Sequence, residues 1–349
     1  MTKQKNRGKK TRYHVYQSAA RKHANLIVSR TPVKREASDW ATMTSFCQQY
    51  DIDEVATPFT EQDQFDTLRD EYVWEQAGRP AIFIDTPTIN TLLAGSCKIN
   101  NFTDHFMPFE AYSLCLPADF ECLGVKISGV LVNYYPDHAH YLDNLRAVGK
   151  RLSIPVKESD THDPDRDFDD NGYIGLRYNI KANGDQVAGT GICNVSLDEA
   201  KVLAQCATVK AYERKMRKIY GELGEDNPRK LDKPLLTLQY TLLKLAMNLA
   251  VYAKAKPEIL QSGFPAKSEL AMSSRDEAPI KAMRMTIGSK RRGQGLPLSE
   301  HHRSWFLRQL SHEKYYQGEY AHLRHGDRFV FVDECAVAGA GDPHHISLN

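Results

Sequence analysis

None of the seven cysteines stands in a C-x-x-C step with another, and seven is an odd number. Zinc ribbons, thioredoxin-like redox motifs and a complete disulfide framework therefore lack support, and the chain reads as one that folds on its apolar core in a reducing compartment. An apolar leader is missing too: the basic start MTKQKNRGKKTRYHVYQ is followed by no h-region, which argues against a secretory signal or membrane anchor and for a cytoplasmic location. There is no P-loop, no G-x-S-x-G, no H-E-x-x-H and no internal repeat. Those absences leave the familiar NTPase, serine-hydrolase and zinc-protease classes without a motif, and no cofactor is called for. The most informative gap is acidic: residues 1–35 contain no Asp or Glu.

The same 35 residues hold eleven Lys or Arg, and the stretch from Lys281 to Asn349 holds ten against seven acidic side chains. Between them, from Glu36 to Ile280, lie 25 basic and 37 acidic residues, so a near-neutral total of +2 hides an acidic body with basic ends. Three regions follow: a basic arm and helix (1–35), an acidic α+β body (36–280) and a basic, aromatic C-terminal module (281–349). Basic segments that neutralise phosphates gain affinity by releasing counterions, so RNA or DNA is the leading partner.

The first dozen residues are expected to be disordered, with a helix from about Tyr16 through Ile27 whose exposed face is basic. Ser38 can cap a second helix carrying Trp40, Met43, Phe46 and Cys47 at helical spacing. PAIFI (80–84) reads as a buried strand, and Asp85, Thr86 and Pro87 open the helix after it. From Phe109 to Pro136 the apolar period is two, giving antiparallel strands with turn or bulge chemistry at Gly124 and at Ser128-Gly129. Ser196 and Glu199 form a capping box for a helix through Leu203 and Val209. Lys233–Ala255 spans the strongest apolar segment, yet Thr237, Thr241, Lys244 and Asn248 make a polar stripe, and a central Lys costs roughly 3 kcal/mol in lipid. This is the long core helix of an α+β protein, an antiparallel sheet with flanking helices and a C-terminal hairpin.

An acidic loop precedes the strand expected at 173–180. Asp167, Asp169 and Asn171 stand at the first three ligand positions of a calcium loop, but Tyr178 replaces the closing Glu, so a solvated turn explains it better. Zinc held by His312, His322 and Cys335 lacks site spacing.

The C-terminal module carries the functional expectation. Lys290, Arg291 and Arg292 sit in a Gly-rich loop that leads into HHRSWFLRQLSHEKYYQGEYAHL. There His302, Arg303 and Arg308 can meet phosphates while Trp305, Tyr315 and Tyr316 offer stacking faces, and Lys9, Lys10 and Arg12 repeat the basic theme at the other end. RFVFVDECAVAG should return as the second strand of a long hairpin across the sheet, with Gly318 and Gly326 in the connection. Seven of thirteen histidines follow Glu300. A metal-independent ribonuclease using His302 and His312 as base and acid is therefore a second reading, and a DNA-binding replication or regulatory protein a third, for which no helix-turn-helix or zinc-finger pattern is present.

In order along the chain, TLQYTLLKLAMNLAVYAKAKPEI with Lys256, Pro257, Glu258 and Ile259, then Ile287-Gly288, then His302, Arg303 and Trp305, then Phe329, Phe331 and Gly339 resemble the type V-A anti-CRISPR family that blocks production of the effector nuclease. ISGVLVNYY upstream is also similar. Arg303-Ser304 replaces the family's Gly-His before the tryptophan, and the insert from Leu310 to Gly326 is longer. The resemblance implies a protein that meets a translating ribosome and a nascent peptide and causes loss of the mRNA; the expectation is a protein of a phage or mobile element whose acidic body holds the peptide, with RNA cleaved by this chain or by a recruited host nuclease.

Overall fold

In the computed structural model, residues 10–50, 62–154, 172–181, 187–206, 208–221, 233–270, 280–287, 302–303, 306–332 and 335–336 are described. In chain order come strand β1 (Thr11–Tyr13), helices α1 (Ala19–Arg30), α2 (Asp39–Gln49) and α3 (Gln62–Gln76), strand β2 (Pro80–Ile84) and helix α4 (Thr86–Ala94). Strands β3 (Ser96–Lys98), β4 (Ala111–Cys115), β5 (Glu121–Cys122) and β6 (Val125–Tyr135), helix α5 (His138–Leu152), and strands β7 (Tyr173–Lys181) and β8 (Val187–Ser196) follow. Helices α6 (Leu197–Ala204), α7 (Val209–Gly221) and α8 (Lys233–Ala255) precede strands β9 (Leu260–Ser262), β10 (Ser268–Leu270), β11 (Lys281–Met285), β12 (His302–Arg303), β13 (Phe306–Gln309), β14 (Phe329–Val332) and β15 (Cys335–Ala336). The class is α+β, as the sequence predicts. Two compact units result: Met1–Asp85, Met107–Ala200 and Leu260–Met285 form the first, and Thr86–Phe106, Lys201–Ile259 and Thr286–Asn349 the second. The stretches set apart by charge do not coincide with these units, because α1 packs into the first unit's core and β11 joins its sheet.

The first unit is built on a sheet ordered β8-β7-β6-β4-β2-β11-β9, with β5 beside β6. Its β4, β6, β7 and β8 are antiparallel, as the period of two suggests, whereas β2 runs parallel to both β4 and β11. PAIFI is buried along its whole length, with Pro80 at the first strand position, where an imino residue is tolerated. The expected irregularity falls between Ile127 and Val130. A Cβ on Gly129 would lie 2.5 Å from the Tyr16 amide nitrogen, so glycine there lets the N-terminal segment cross β6 closely. Gly124, at φ 79°, turns β5 into β6.

Ser38 caps α2 by accepting from the Ala41 amide, and Trp40, Met43 and Phe46 meet Ala20, Ala24 and Ile27 of α1 in one core. Ser196 and Glu199 make the reciprocal capping bonds at 3.2 and 3.3 Å. The helix they open ends at Ala204, however, and α7 starts afresh. Thr208 accepts from the Ala211 amide at 3.2 Å, a new N-cap that replaces the single long helix expected.

Within the second unit α8 packs on α4, α7, β3, β13 and β14. Its polar stripe is partly sealed: Lys244 and Asn248 are buried. Asn248 donates to the Leu92 and Gly95 carbonyls at 2.6 and 3.2 Å, closing the C-terminus of α4. Lys244 donates to the Cys206 carbonyl at 3.4 Å and the Tyr240 hydroxyl at 3.0 Å, and burial holds its ammonium pKa down to about 8. Among the described residues no helix is long and apolar enough to cross a membrane.

Candidate nucleic-acid interface

The C-terminal hairpin forms in one register. Leu307 faces Phe331 in the β13–β14 pair and Arg303 faces Cys335 in the β12–β15 pair, and both obey the same offset. Instead of crossing the large sheet, β13 pairs in parallel with β3, making a separate three-stranded sheet in the second unit. This corrects the expectation. A parallel partner about 200 residues away leaves no local mark in the sequence.

The connection between β13 and β14 lies outside regular strand yet is pinned at three points. Gln309, 1% exposed, accepts from the Asn100 and Asn101 amides at 2.7 and 3.0 Å and donates to the Asn101 and Gly326 carbonyls at 2.8 and 2.6 Å. The Tyr316 hydroxyl donates to the Leu310 carbonyl and accepts from the Gly326 amide at 2.8 Å. Asp327 accepts from Thr103 at 2.8 Å and pairs with Lys254 at 2.7 Å. Gly318 and Gly326 both adopt positive φ in this connection, the geometry for which glycine was singled out.

Fixed in this way, the connection presents Arg308, His312, Lys314, His322, Arg324 and His325 at the surface. Arg308 stands on β13, exposed, and no carboxylate among the described residues pairs with it. Exposed carboxylates are limited to Glu313 and Glu319, since Asp327 is taken by Lys254. Tyr315 is half-buried, with the Lys314 ammonium 5.0 Å from its ring centre and the His312 ring edge-on at 6.3 Å. Tyr316 is also half-buried and serves as a bolt within the connection. Arg328 stacks 3.3 Å over Tyr320 and donates to the Tyr315 carbonyl. His312 accepts from the Lys314 amide at 3.2 Å, capping a short 3₁₀ turn.

At the other end, Lys10 and Arg12 are exposed, but the arm is ordered sooner than expected. β1 pairs with β10, and Tyr13, 2% exposed, meets Phe83 edge-on at 5.5 Å. Burial, with Asp85 adding to it, pushes the Tyr13 phenol up to about 12. Apolar anchoring of this kind fixes the root of the basic arm and explains why strand replaces the disorder expected through residue 12. Lys9, Lys290, Arg291, Arg292, Trp305 and the acidic loop with Asp167, Asp169 and Asn171 lie outside the described residues, and His302 and Arg303 are placed by backbone alone. Among the described residues no group of three or more His, Cys, Asp or Glu is arranged to hold a metal ion.

One cluster escaped the sequence reading. In the first unit Arg69 meets Asp66 at 2.9 Å, Asp70 at 2.7 Å and the Tyr135 hydroxyl at 3.1 Å, all with negligible exposure. Its guanidinium lies 4.2 Å from the centre of the Tyr141 ring. Arg177 meets the other Asp70 oxygen at 2.7 Å, a charge contact without hydrogen-bond alignment. The stretch QDQFDTLRDEYVWEQ is rich in charge, and its partner arginine on β7, sealed between strands, is far away in sequence. These matched charges are internal architecture, with no exposed face toward a ligand.

None of the known protein families, curated proteins or solved structures compared with this chain matches it.

Proposed function

We propose that this chain is an interference protein of a phage or other mobile element, anti-CRISPR-like in role, that engages a translating ribosome through RNA and a nascent peptide and brings about loss of the encoding mRNA. Arg308 carries the reading. It is an exposed cation on a strand whose neighbouring connection, held by Gln309, Tyr316 and Asp327, itself exposes Lys314 and Arg324. Cations fixed on a rigid element lose little freedom on meeting phosphate, which is how positively charged grooves hold single strands. The ordered C-terminal motifs and the charge asymmetry of the chain support the same partner.

A ribonuclease would need His302 and His312 at one phosphate. His312 is instead engaged as the cap of a short 3₁₀ turn, accepting from the Lys314 amide at 3.2 Å, and a recruited nuclease is the reading we adopt.

Sedimentation of the full-length chain with polysomes is the test. Wild type should travel with translating ribosomes and be released by moderate salt, and Arg308→Glu should travel less. A chain that stays at the top of the gradient at every salt concentration defeats the proposal. Nuclease activity abolished by alanine at His302 and His312 would instead establish the enzyme.

A further inference from the structure

The two edges of the first unit's sheet are finished differently. At one edge β9 is only three residues long. Beside it the Gly263 amide donates to the Ala282 carbonyl at 2.8 Å, which turns the Ser262 backbone outward in the alternation of an antiparallel ladder. The Arg284 guanidinium then donates to the Ser262 carbonyl at 3.0 Å. A short strand closed by a cation is guarded against pairing with another chain.

At the other edge β8 runs for ten residues, VAGTGICNVS, with no charge and no proline. The Leu197 amide donates to the Gly172 carbonyl at 3.2 Å, and Ser196 faces Tyr173 in the same register. From Gly189 to Leu197 the odd-numbered residues therefore bond to β7, and the even-numbered ones turn their amides and carbonyls away from it. Glu199 accepts from the Ser196 amide at 3.3 Å, which ends the open edge where α6 begins. Among the described residues no partner meets the backbone amide or carbonyl of Thr190, Ile192 or Asn194. Thr190 is exposed, and Ile192 and Asn194 are half-buried. Three successive ladder positions thus stand open on a strand without the charge, the proline or the shortness that guards an edge.

We infer that β8 is a dimerisation edge, pairing antiparallel with β8 of a second copy of this chain about a two-fold axis at Ile192. In that register Ile192 meets its own equivalent, and Thr190 of each copy faces Asn194 of the other. The open amides and carbonyls then exchange about six ladder hydrogen bonds. The uncharged strand favours a second copy as the occupant. A two-fold axis brings side chains near their own equivalents, where a lysine or a carboxylate would meet its like, and β8 sets no such pair. The inference is independent of the RNA reading and stands or falls without it.

The test is multi-angle light scattering of the full-length chain over a concentration series. Wild type should approach twice the monomer mass as concentration rises. Ile192→Pro should stay at the monomer mass and keep the far-ultraviolet circular dichroism of wild type, because β7 does not use the amide that it removes. Ile192→Lys leaves every ladder bond within the chain in place and sets two ammonium groups against each other, so it should be monomeric as well. Under mild oxidation Ile192→Cys should link two copies through one disulfide, since directly bonded partners across such a ladder stand about 5.5 Å apart. Ser29→Cys, exposed on α1, should gain no such link. A wild type that is monomeric at every concentration, proline and lysine variants as dimeric as wild type, or an Ile192→Cys chain that forms no more linked dimer than Ser29→Cys would each overturn the inference.

Discussion

Glu71 lies 52 residues beyond Ala19, whose amide it accepts at 2.6 Å, and it gathers four donors at the start of α1. Burial pushes its carboxyl pKa up while those donors pull it down. Replacing it with Gln leaves part of the donor set facing an amide. Glu71→Gln should therefore lower stability by about 2 kcal/mol, read as a smaller urea midpoint, while Glu75→Gln, on the same helix but half exposed, should change little. His23, 4% exposed on α1, has its pKa lowered to about 4, chiefly by burial and then by Lys22. The folded state prefers the neutral ring, whereas the unfolded chain takes up a proton near 6.5. Stability due to this group is thus full above pH 6.5 and falls as pH drops toward 4, by up to about 3 kcal/mol. Urea titrations of wild type against His23→Gln at pH 7, 5.5 and 4.5 should show the wild type losing ground as the solution is acidified. Residues whose role is local, such as Ser38 and the Ser196–Glu199 pair, were legible in the sequence because a cap and its amide are neighbours. Glu71 was not, since its donors come from residues 16–20, and neither was Arg69, whose charge pairs share its helix but whose burial depends on Tyr135 and Tyr141 from other elements.

At the scale of elements, period and punctuation placed PAIFI, the strands of 111–135, α8 and the hairpin strands close to where they lie. Partners were another matter. The parallel pairing of β2 with β11, and of β13 with β3, joins segments about 200 residues apart and depends on packing that no short window records. On α8 the polar stripe contains a buried lysine whose ammonium donates to the Cys206 carbonyl and the Tyr240 hydroxyl. Tyr240 itself donates to the Cys206 carbonyl at 3.0 Å, so that oxygen stays satisfied when the lysine is removed. Lys244→Met should accordingly stabilise the chain by about 1–3 kcal/mol at pH 7, because no ammonium need then be desolvated. The sign with pH follows from a folded pKa of about 8, below the ordinary 10.5. The penalty is complete below pH 8 and fades as pH rises toward 10.5, so the advantage of the methionine variant should shrink over that interval in chemical denaturation. A constant or growing advantage would show that Lys244 is not held in this way.

For the whole molecule, the net charge of +2 conceals the uneven charge distribution on which the proposed function rests. Counting charges by region pointed to the two ends. Selective recovery of ribosomes is the most direct measurement of the central claim: the tagged full-length chain is isolated from expressing cells, and the associated RNA and total transcripts are sequenced beside those of Arg308→Glu. Enrichment of ribosomal RNA together with depletion of a narrow set of transcripts, both diminished in the variant, is the expected result. Recovery without ribosomal RNA and a transcript profile identical to that of cells lacking the protein would contradict the account.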